Sequence, residues 1–156
     1  MKIRKLRSDE KELLKDFLYE AIFIPEGVEL PARSIIELPE LKIYYEDFGK
    51  GSADYCLVAE DDGRVVGAVW TRIMEDYGHV DDETPSFAIS IYKEYRGLGI
   101  GTELMRQMLE LLKEKGYQRA SLAVQKANYA VWMYEKLGFK TTDQNDEEFI
   151  MVCELS

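Results

Sequence analysis

Apolar and polar positions follow two periods along this chain, and the switches between them outline its elements. Ile3 and Leu6 alternate with charged residues, as a first edge strand would. Ser8-Asp9-Glu10 opens a helix whose apolar positions are Leu13, Leu14, Phe17, Leu18 and Ala21. Residues 25–51 are punctuated by Pro25, Gly27, Pro31 and Pro39, with a short helix predicted over 41–48. An apolar run over 55–60, the turn Asp61-Asp62-Gly63 and a second run over 64–74 form a hairpin signal. An acidic loop over 75–85 precedes the alternation Phe87-Ala88-Ile89-Ser90-Ile91, a strand over 86–91. A helix over 101–115 repeats Leu104, Met105, Met108, Leu109, Leu111 and Leu112 and stops at Gly116. A strand over 120–124, a helix over 128–137 ended by Gly138, and closing strands, the last over 149–153, complete the chain. The order β-α-(α)-β-β-β-α-β-α-β-β predicts a mixed α/β sheet with helices on both faces.

With 156 residues, 46% of them hydrophobic, and neither repeat nor low-complexity linker, residues 1–156 read as one domain with a substantial core. No run approaches the roughly 20 apolar residues that cross a bilayer. The basic start of the chain lacks the apolar core of a secretory signal. Cys56 and Cys153 lie in strand-like stretches without metal-ligand spacing, and read as buried thiols of a cytoplasmic protein. No metal site is expected. The net charge of −10 argues against nucleic acid, which demands a basic surface, and is compatible with cationic partners such as amines.

Candidate chemistry concentrates in Tyr95-Arg96-Gly97-Leu98-Gly99-Ile100-Gly101-Thr102, between a strand and a helix. A free helix N-terminus offers unpaired N–H groups and the positive end of its dipole, glycine admits a phosphate closely, and Arg96 adds a fixed charge. A dinucleotide loop requires Gly-x-Gly-x-x-Gly near the first strand with an acid ~20 residues later, and here the third glycine is misplaced. A nucleoside-triphosphate loop ends in Gly-Lys-Ser/Thr, and Gly101-Thr102 has no lysine.

On these residues the chain resembles the GNAT family of N-acetyltransferases. Arg96-x-x-Gly99-x-Gly101 matches the family's diphosphate loop, and Asn128-Tyr129-Ala130-Val131-Trp132-Met133-Tyr134-Glu135-Lys136-Leu137-Gly138-Phe139 matches its second motif. With the strand before each, the motifs cover about a third of the chain. The resemblance implies a mostly antiparallel sheet of about six or seven strands with two splayed, parallel central strands, here 86–91 and 120–124. It implies acetyl-coenzyme A as acyl donor, its diphosphate on the amides of Gly97, Leu98, Gly99, Ile100, Gly101 and Thr102. The pantetheine arm would enter the gap beside Ile89, Ser90 and Ile91, where a backbone N–H near Ser90 or Ile91 serves as oxyanion donor. The face carrying Ala88 and Ser90 is small enough for a ligand to approach.

By the same resemblance Tyr134 is the acid facing the leaving thiolate. Reference pKa values of ~10 for a phenol and ~8.5 for a thiol are close enough for hydrogen bonding or proton donation. Asn128 reads both as a helix cap and as a pantetheine contact, and Ala130, one turn before Tyr134, leaves room for the thiol end. Six residues separate Asn128 from Tyr134, where many relatives have seven. The strand glutamate that many relatives use as base is missing, with Ala88, Leu122 and Ala123 at the corresponding places. Glu75, Asp76, His79, Asp81, Asp82, Glu83, Glu29 and Glu37 remain as candidates, or a base acting through water. The acceptor site is expected from residues 25–48 and the end of strand 64–74, with Phe23, Tyr44, Tyr45, Trp70 and Tyr77 as aromatic candidates. Two functions fit: direct acetyl transfer to a primary amine of a small molecule or protein in a ternary complex, or a non-catalytic acetyl-coenzyme A sensor. The retained tyrosine favours the enzyme. An exposed last strand over 149–153 would allow a homodimer.

Overall fold

The computed structural model describes residues 1–155. Seven strands form one sheet: β1 (Lys2–Lys5), β2 (Tyr55–Asp61), β3 (Arg64–Arg72), β4 (Ser86–Ile91), β5 (Arg119–Gln125), β6 (Phe139–Gln144) and β7 (Glu148–Glu154). Their spatial order is β1-β2-β3-β4-β5-β7-β6. Four α-helices accompany them: α1 (Leu13–Ala21), α2 (Pro39–Lys42), α3 (Ile100–Glu114) and α4 (Ala130–Lys136). The expected mixed sheet is therefore present, antiparallel everywhere except between β4 and β5. The β2–β3 hairpin closes at Asp61 opposite Arg64 around Asp62 and Gly63, both at positive φ, as the twist of a two-residue hairpin demands. Ser8–Glu10 forms a separate 3-10 turn rather than the first turn of α1.

Each face of the sheet is sealed by different helices. Leu104, Met105, Met108 and Leu112, at helical spacing on α3, are fully buried against Val66, Val69 and Ala120, with α4 contributing Tyr134. On the opposite face Leu14, Phe17 and Leu18 of α1 pack with Val58, Ala68 and Trp70. The Trp70 indole donates to the Tyr44 carbonyl at 2.9 Å, fixing the turn that follows α2. Truncating any one of these interior leucines to alanine removes about 2–5 kcal/mol.

The last strand is not the exposed edge that the sequence reading expected. β7 lies between β5 and β6, and β6 is the edge. The composition explains the exchange. Phe149 to Cys153 is continuously apolar, as a strand covered on both faces must be, whereas β6 is exposed beyond Phe139. Homodimer pairing through 149–153 is thus blocked within the chain. No helix among the described residues is long and apolar enough to cross a membrane.

Candidate active site

Ladder pairing breaks down at one place. β3 and β4 pair over six positions and β5 and β7 over seven, but β4 and β5 share a single rung, Ser86 opposite Ser121. Beyond it the two parallel strands separate. Backbone groups alternate sides along a strand, so directions can be read from the bonds that do form. Tyr92 N–H donates to Val66 on β3, which places the amides of Ala88 and Ser90 on the β3 side as well. The amides of Phe87, Ile89 and Ile91 therefore face β5. Past the rung, the N–H and C=O of Ile89 and the N–H of Ile91 open into the gap. Side chains Ile89 and Ile91 are only half-buried although their strand is central. The Ile91 carbonyl is taken by Arg96 Nε at 2.9 Å.

This geometry corrects the expectation for Ser90. Its amide pairs toward β3, its hydroxyl donates to the Phe17 carbonyl at 2.6 Å, and it is buried under α1. Of the two expected oxyanion donors, only Ile91 directs an N–H into the gap. The small face of Ala88 and Ser90 is covered by α1, not left for a ligand.

At the mouth of the gap the chain turns through Gly97 and Gly99, at φ +79° and +85°, a left-handed conformation that side chains strain to adopt. A Cβ on either would meet nothing within 4 Å, so conformation rather than crowding requires glycine there. Gly101 differs. A Cβ there would lie 3.2 Å from Ile91 Cδ1, so the first turn of α3 packs directly against β4. None of the N–H groups of Gly97, Leu98, Gly99, Ile100, Gly101 and Thr102 donates to an acceptor among the described residues. The side chains divide, Ile100 entering the core while Leu98 and Thr102 remain outside. Arg96 also reaches Glu20 Oε2 at 3.2 Å, tying the turn to α1.

Across the gap, Asn128 lies one residue before Tyr129, the cap of α4, rather than at the cap itself; its Oδ1 accepts from Ala130 N–H at 2.9 Å, and its amide N–H₂ is unused among the described residues. Ala130 is partly buried one turn before Tyr134. The Tyr134 ring is buried edge-on against Phe139, centroids 6.0 Å apart, and Phe139 packs in turn against Phe87. The Tyr134 hydroxyl has no hydrogen-bond partner among the described residues, and burial pushes it up to about 12. It is a protonated donor at neutral pH.

The opposite face of the gap holds groups from distant segments. Asp76, in the loop between β3 and β4, accepts from Tyr44 Oη at 2.9 Å and from Ser86 Oγ at 3.1 Å. Ser86 Oγ lies 3.4 Å from Ser121 Oγ, which donates to the Gly78 carbonyl at 2.8 Å. Gly78 rests on β5 so closely that a Cβ would lie 3.0 Å from Ala123 N. Burial raises the Asp76 carboxyl, against the hydrogen bonds from Tyr44 and Ser86. Glu148, at the start of β7, is raised by burial and by the neighbouring charges of Glu147 and Asp76. The Tyr44 phenol is raised by burial and by Asp76.

The remaining acids expected as bases sit elsewhere. Glu29, Glu37, Glu75, Asp82 and Glu83 are exposed, and Asp81 is engaged by Thr84, the Glu83 amide and Arg119. His79 Nε2 lies 3.4 Å from Asp82, and its buried Nδ1 finds no partner among the described residues. Of the aromatic candidates, Trp70 is core, Tyr45 donates to the Ile36 carbonyl, and Tyr77 is exposed. Reasoning from sequence named Asp76 and Tyr44 separately but missed Ser86, Ser121, Gly78 and Glu148.

A central sheet forked between two parallel strands, with free amides at its mouth, defines an open cleft within the sheet. Residues 18–139 match the acetyltransferase (GNAT) family, and the chain belongs to it. It is 42% identical over 62 residues to a ribosomal-protein bS18-alanine N-acetyltransferase of Haemophilus influenzae, a match covering 40% of this chain and 42% of that protein. It is 34% identical to N-alpha-acetyltransferase 30 of Schizosaccharomyces pombe over 78% of this chain and 80% of that one. The chain spans less than half the length of the Haemophilus influenzae protein and of two vertebrate N-acetyltransferases that it matches. In fold it resembles the PaiA N-acetyltransferase of Thermoplasma acidophilum crystallised with coenzyme A, with TM-score 0.68, 23% identity and 98% of each chain covered.

Proposed function

We propose that this chain transfers the acetyl group of acetyl-coenzyme A directly to a primary amine, with both substrates bound at once. The single rung between β4 and β5 carries the reading. It leaves strand amides unpaired in the middle of a sheet, where an unpaired backbone group costs free energy unless a ligand satisfies it. The two amides of a pantetheine arm supply the missing partners. The free N–H groups of residues 97–102 and the dipole of α3 receive its diphosphate, and the Asn128 amide contacts the arm. Ala130 leaves space for the thiol end.

Ile91 N–H, or Ile89 N–H two residues earlier, polarises the thioester carbonyl. The amine attacks that carbon, and the carbon–sulfur bond breaks toward Tyr134. A phenol pushed up to about 12 is a weaker acid than a thiol near ~8.5, so full transfer of its proton would run uphill. Tyr134 therefore acts as a hydrogen-bond donor that stabilises the departing thiolate. The acceptor is a primary amine, and the names of the relatives favour the α-amine of a polypeptide. A thiol-release assay with acetyl-coenzyme A and peptides bearing a free N-terminus tests the reading. Turnover, with saturable acetyl-coenzyme A binding by calorimetry, is expected. Absence of acetyl-coenzyme A binding overturns the proposal.

A further inference from the structure

The geometry points to Asp76 as the base that takes the proton from the acceptor ammonium. This rests on the transfer reading above, and supplies the group that the strands lack at Ala88, Leu122 and Ala123.

Three observations place it. First, Asp76 marks the closed end of the fork. Its Oδ1 accepts from Ser86, whose hydroxyl is 3.4 Å from that of Ser121, and these two residues form the last rung before β4 and β5 part. Second, it lies on the face opposite the leaving group. Phe87, Leu122 and Tyr134 belong to the α3–α4 face, whereas Ser86 and Ser121 alternate to the other face, where Tyr44 packs with α1. An amine approaching beside Asp76 would meet the thioester from one side while sulfur departs on the other. Third, the carboxylate is held by one hydrogen bond to each oxygen, from Ser86 and from Tyr44. A carboxylate accepts about four such bonds, so lone pairs remain for an ammonium N–H.

The surroundings favour a cation. Glu148 adds a second, half-buried carboxyl on the same face, and Tyr44 presents an aromatic hydroxyl. The titratable groups that bear on Asp76 are Tyr44 after α2, His79 on its own loop and Glu148 on β7, with Glu147 behind Glu148. Ser86 supplies the β4 contact, backed from β5 by Ser121, and neither carries charge. Burial raises the Asp76 carboxyl, which moves it toward the strength a base needs.

Asp76 removes one proton from R–NH₃⁺, leaving R–NH₂. Nitrogen bonds to the acetyl carbon, the carbon–sulfur bond breaks, and its electron pair goes to sulfur. Asp76 passes the first proton to solvent and accepts the second from nitrogen, while the thiolate leaves hydrogen-bonded to Tyr134 and takes one proton from solvent, so the net reaction releases one proton.

The test uses the whole chain, acetyl-coenzyme A and a short peptide with a free N-terminal alanine. Asp76→Asn is expected to lower kcat about a hundredfold while acetyl-coenzyme A affinity stays within about twofold. Its residual rate should climb about tenfold per pH unit toward the amine pKa, because only spontaneously deprotonated amine reacts. Asp76→Glu, which keeps the charge, should recover part of kcat and restore the wild-type pH profile. A kcat in Asp76→Asn within about threefold of wild type, or a deficit equal at every pH, overturns the assignment. So does a parallel loss of acetyl-coenzyme A affinity and melting temperature in both variants, which marks a purely structural carboxylate. If the wild-type chain binds acetyl-coenzyme A but acetylates no amine, the transfer reading and this one both fall. Transfer at close to the wild-type rate in Asp76→Asn, with kcat within about threefold, overturns this one alone.

Discussion

The mouth and the closed end of the fork are built in opposite ways. The mouth is one continuous segment, residues 96–102, in which conformation does the work: two left-handed glycines, a helix start and a row of free amides. The closed end is assembled from the turn after α2, the β3–β4 loop, two strands and the start of β7, with Tyr44 and Asp76 meeting across 32 residues. A contiguous site of backbone groups tolerates most side chains but not a changed φ. A dispersed site of side chains depends on every element that carries it. Variants at the mouth should therefore change affinity for the acyl donor, and variants at the closed end should change transfer.

Gly99→Glu should have the largest effect at the mouth. It puts a side chain at φ +85° and a carboxylate among the free amides to which the proposal assigns the diphosphate. Calorimetry should show acetyl-coenzyme A affinity falling on the order of a thousandfold, equivalent to about 4 kcal/mol. Unchanged affinity would remove the mouth from the binding site. Tyr134→Phe should do the reverse. The hydroxyl has no partner among the described residues, so melting temperature and affinity should hold while kcat drops about a hundredfold in the thiol-release assay. Loss of affinity instead would make Tyr134 a packing residue.

Gly78→Ala acts from the loop side. Its Cβ would lie 3.0 Å from Ala123 N and 3.1 Å from Leu122 C, backbone atoms that cannot swing away. The loop must lift and carry Asp76 with it. About a tenfold loss of kcat at retained acetyl-coenzyme A affinity is expected. Arg96→Ala should weaken acetyl-coenzyme A binding only about threefold, and less at high salt, since its guanidinium is partly exposed and already engages Ile91 and Glu20. A loss independent of salt would mean that Arg96 serves the fold by holding α1.

The smallest effect lies outside the fork and checks the scaffold. Arg4 forks onto both Glu10 oxygens at 2.9 Å, which lowers the Glu10 carboxyl from 4.5 to about 2. Because the folded value is the lower one, the stabilisation is present above pH 4.5 and disappears as pH falls through 2. Glu10→Gln should reduce stability at pH 7 and narrow its gap to wild type under acid, as followed by urea unfolding.

Local signals carried much of this molecule. Asp62-Gly63 announced the β2–β3 hairpin, the repeat from Leu104 to Leu112 announced α3, and the glycines after Arg96 announced the mouth, since each depends on neighbours within a few residues. The position of β7 was also written in its composition. Its unbroken apolar run distinguishes it from β6 and argues for a place inside the sheet. Ser90 misled because a small residue on a strand looks the same whether it faces a ligand or the underside of α1. Asp76 stood undistinguished among eight possible bases for a related reason. Nothing in an acidic loop reveals which carboxylate folds back onto the sheet.

By itself the chain determined periodicity, turn conformation and the glycine-rich turn at the mouth, because these follow from dihedral preferences and spacing along a single segment. Only tertiary structure decided that β4 and β5 part after one rung, that the Ile91 amide rather than that of Ser90 faces the gap, and that Tyr44, Asp76, Ser86 and Glu148 gather at one end. Strand pairing and long-range side-chain contacts depend on which surfaces remain once the two cores are filled, and that competition is settled by the whole chain at once.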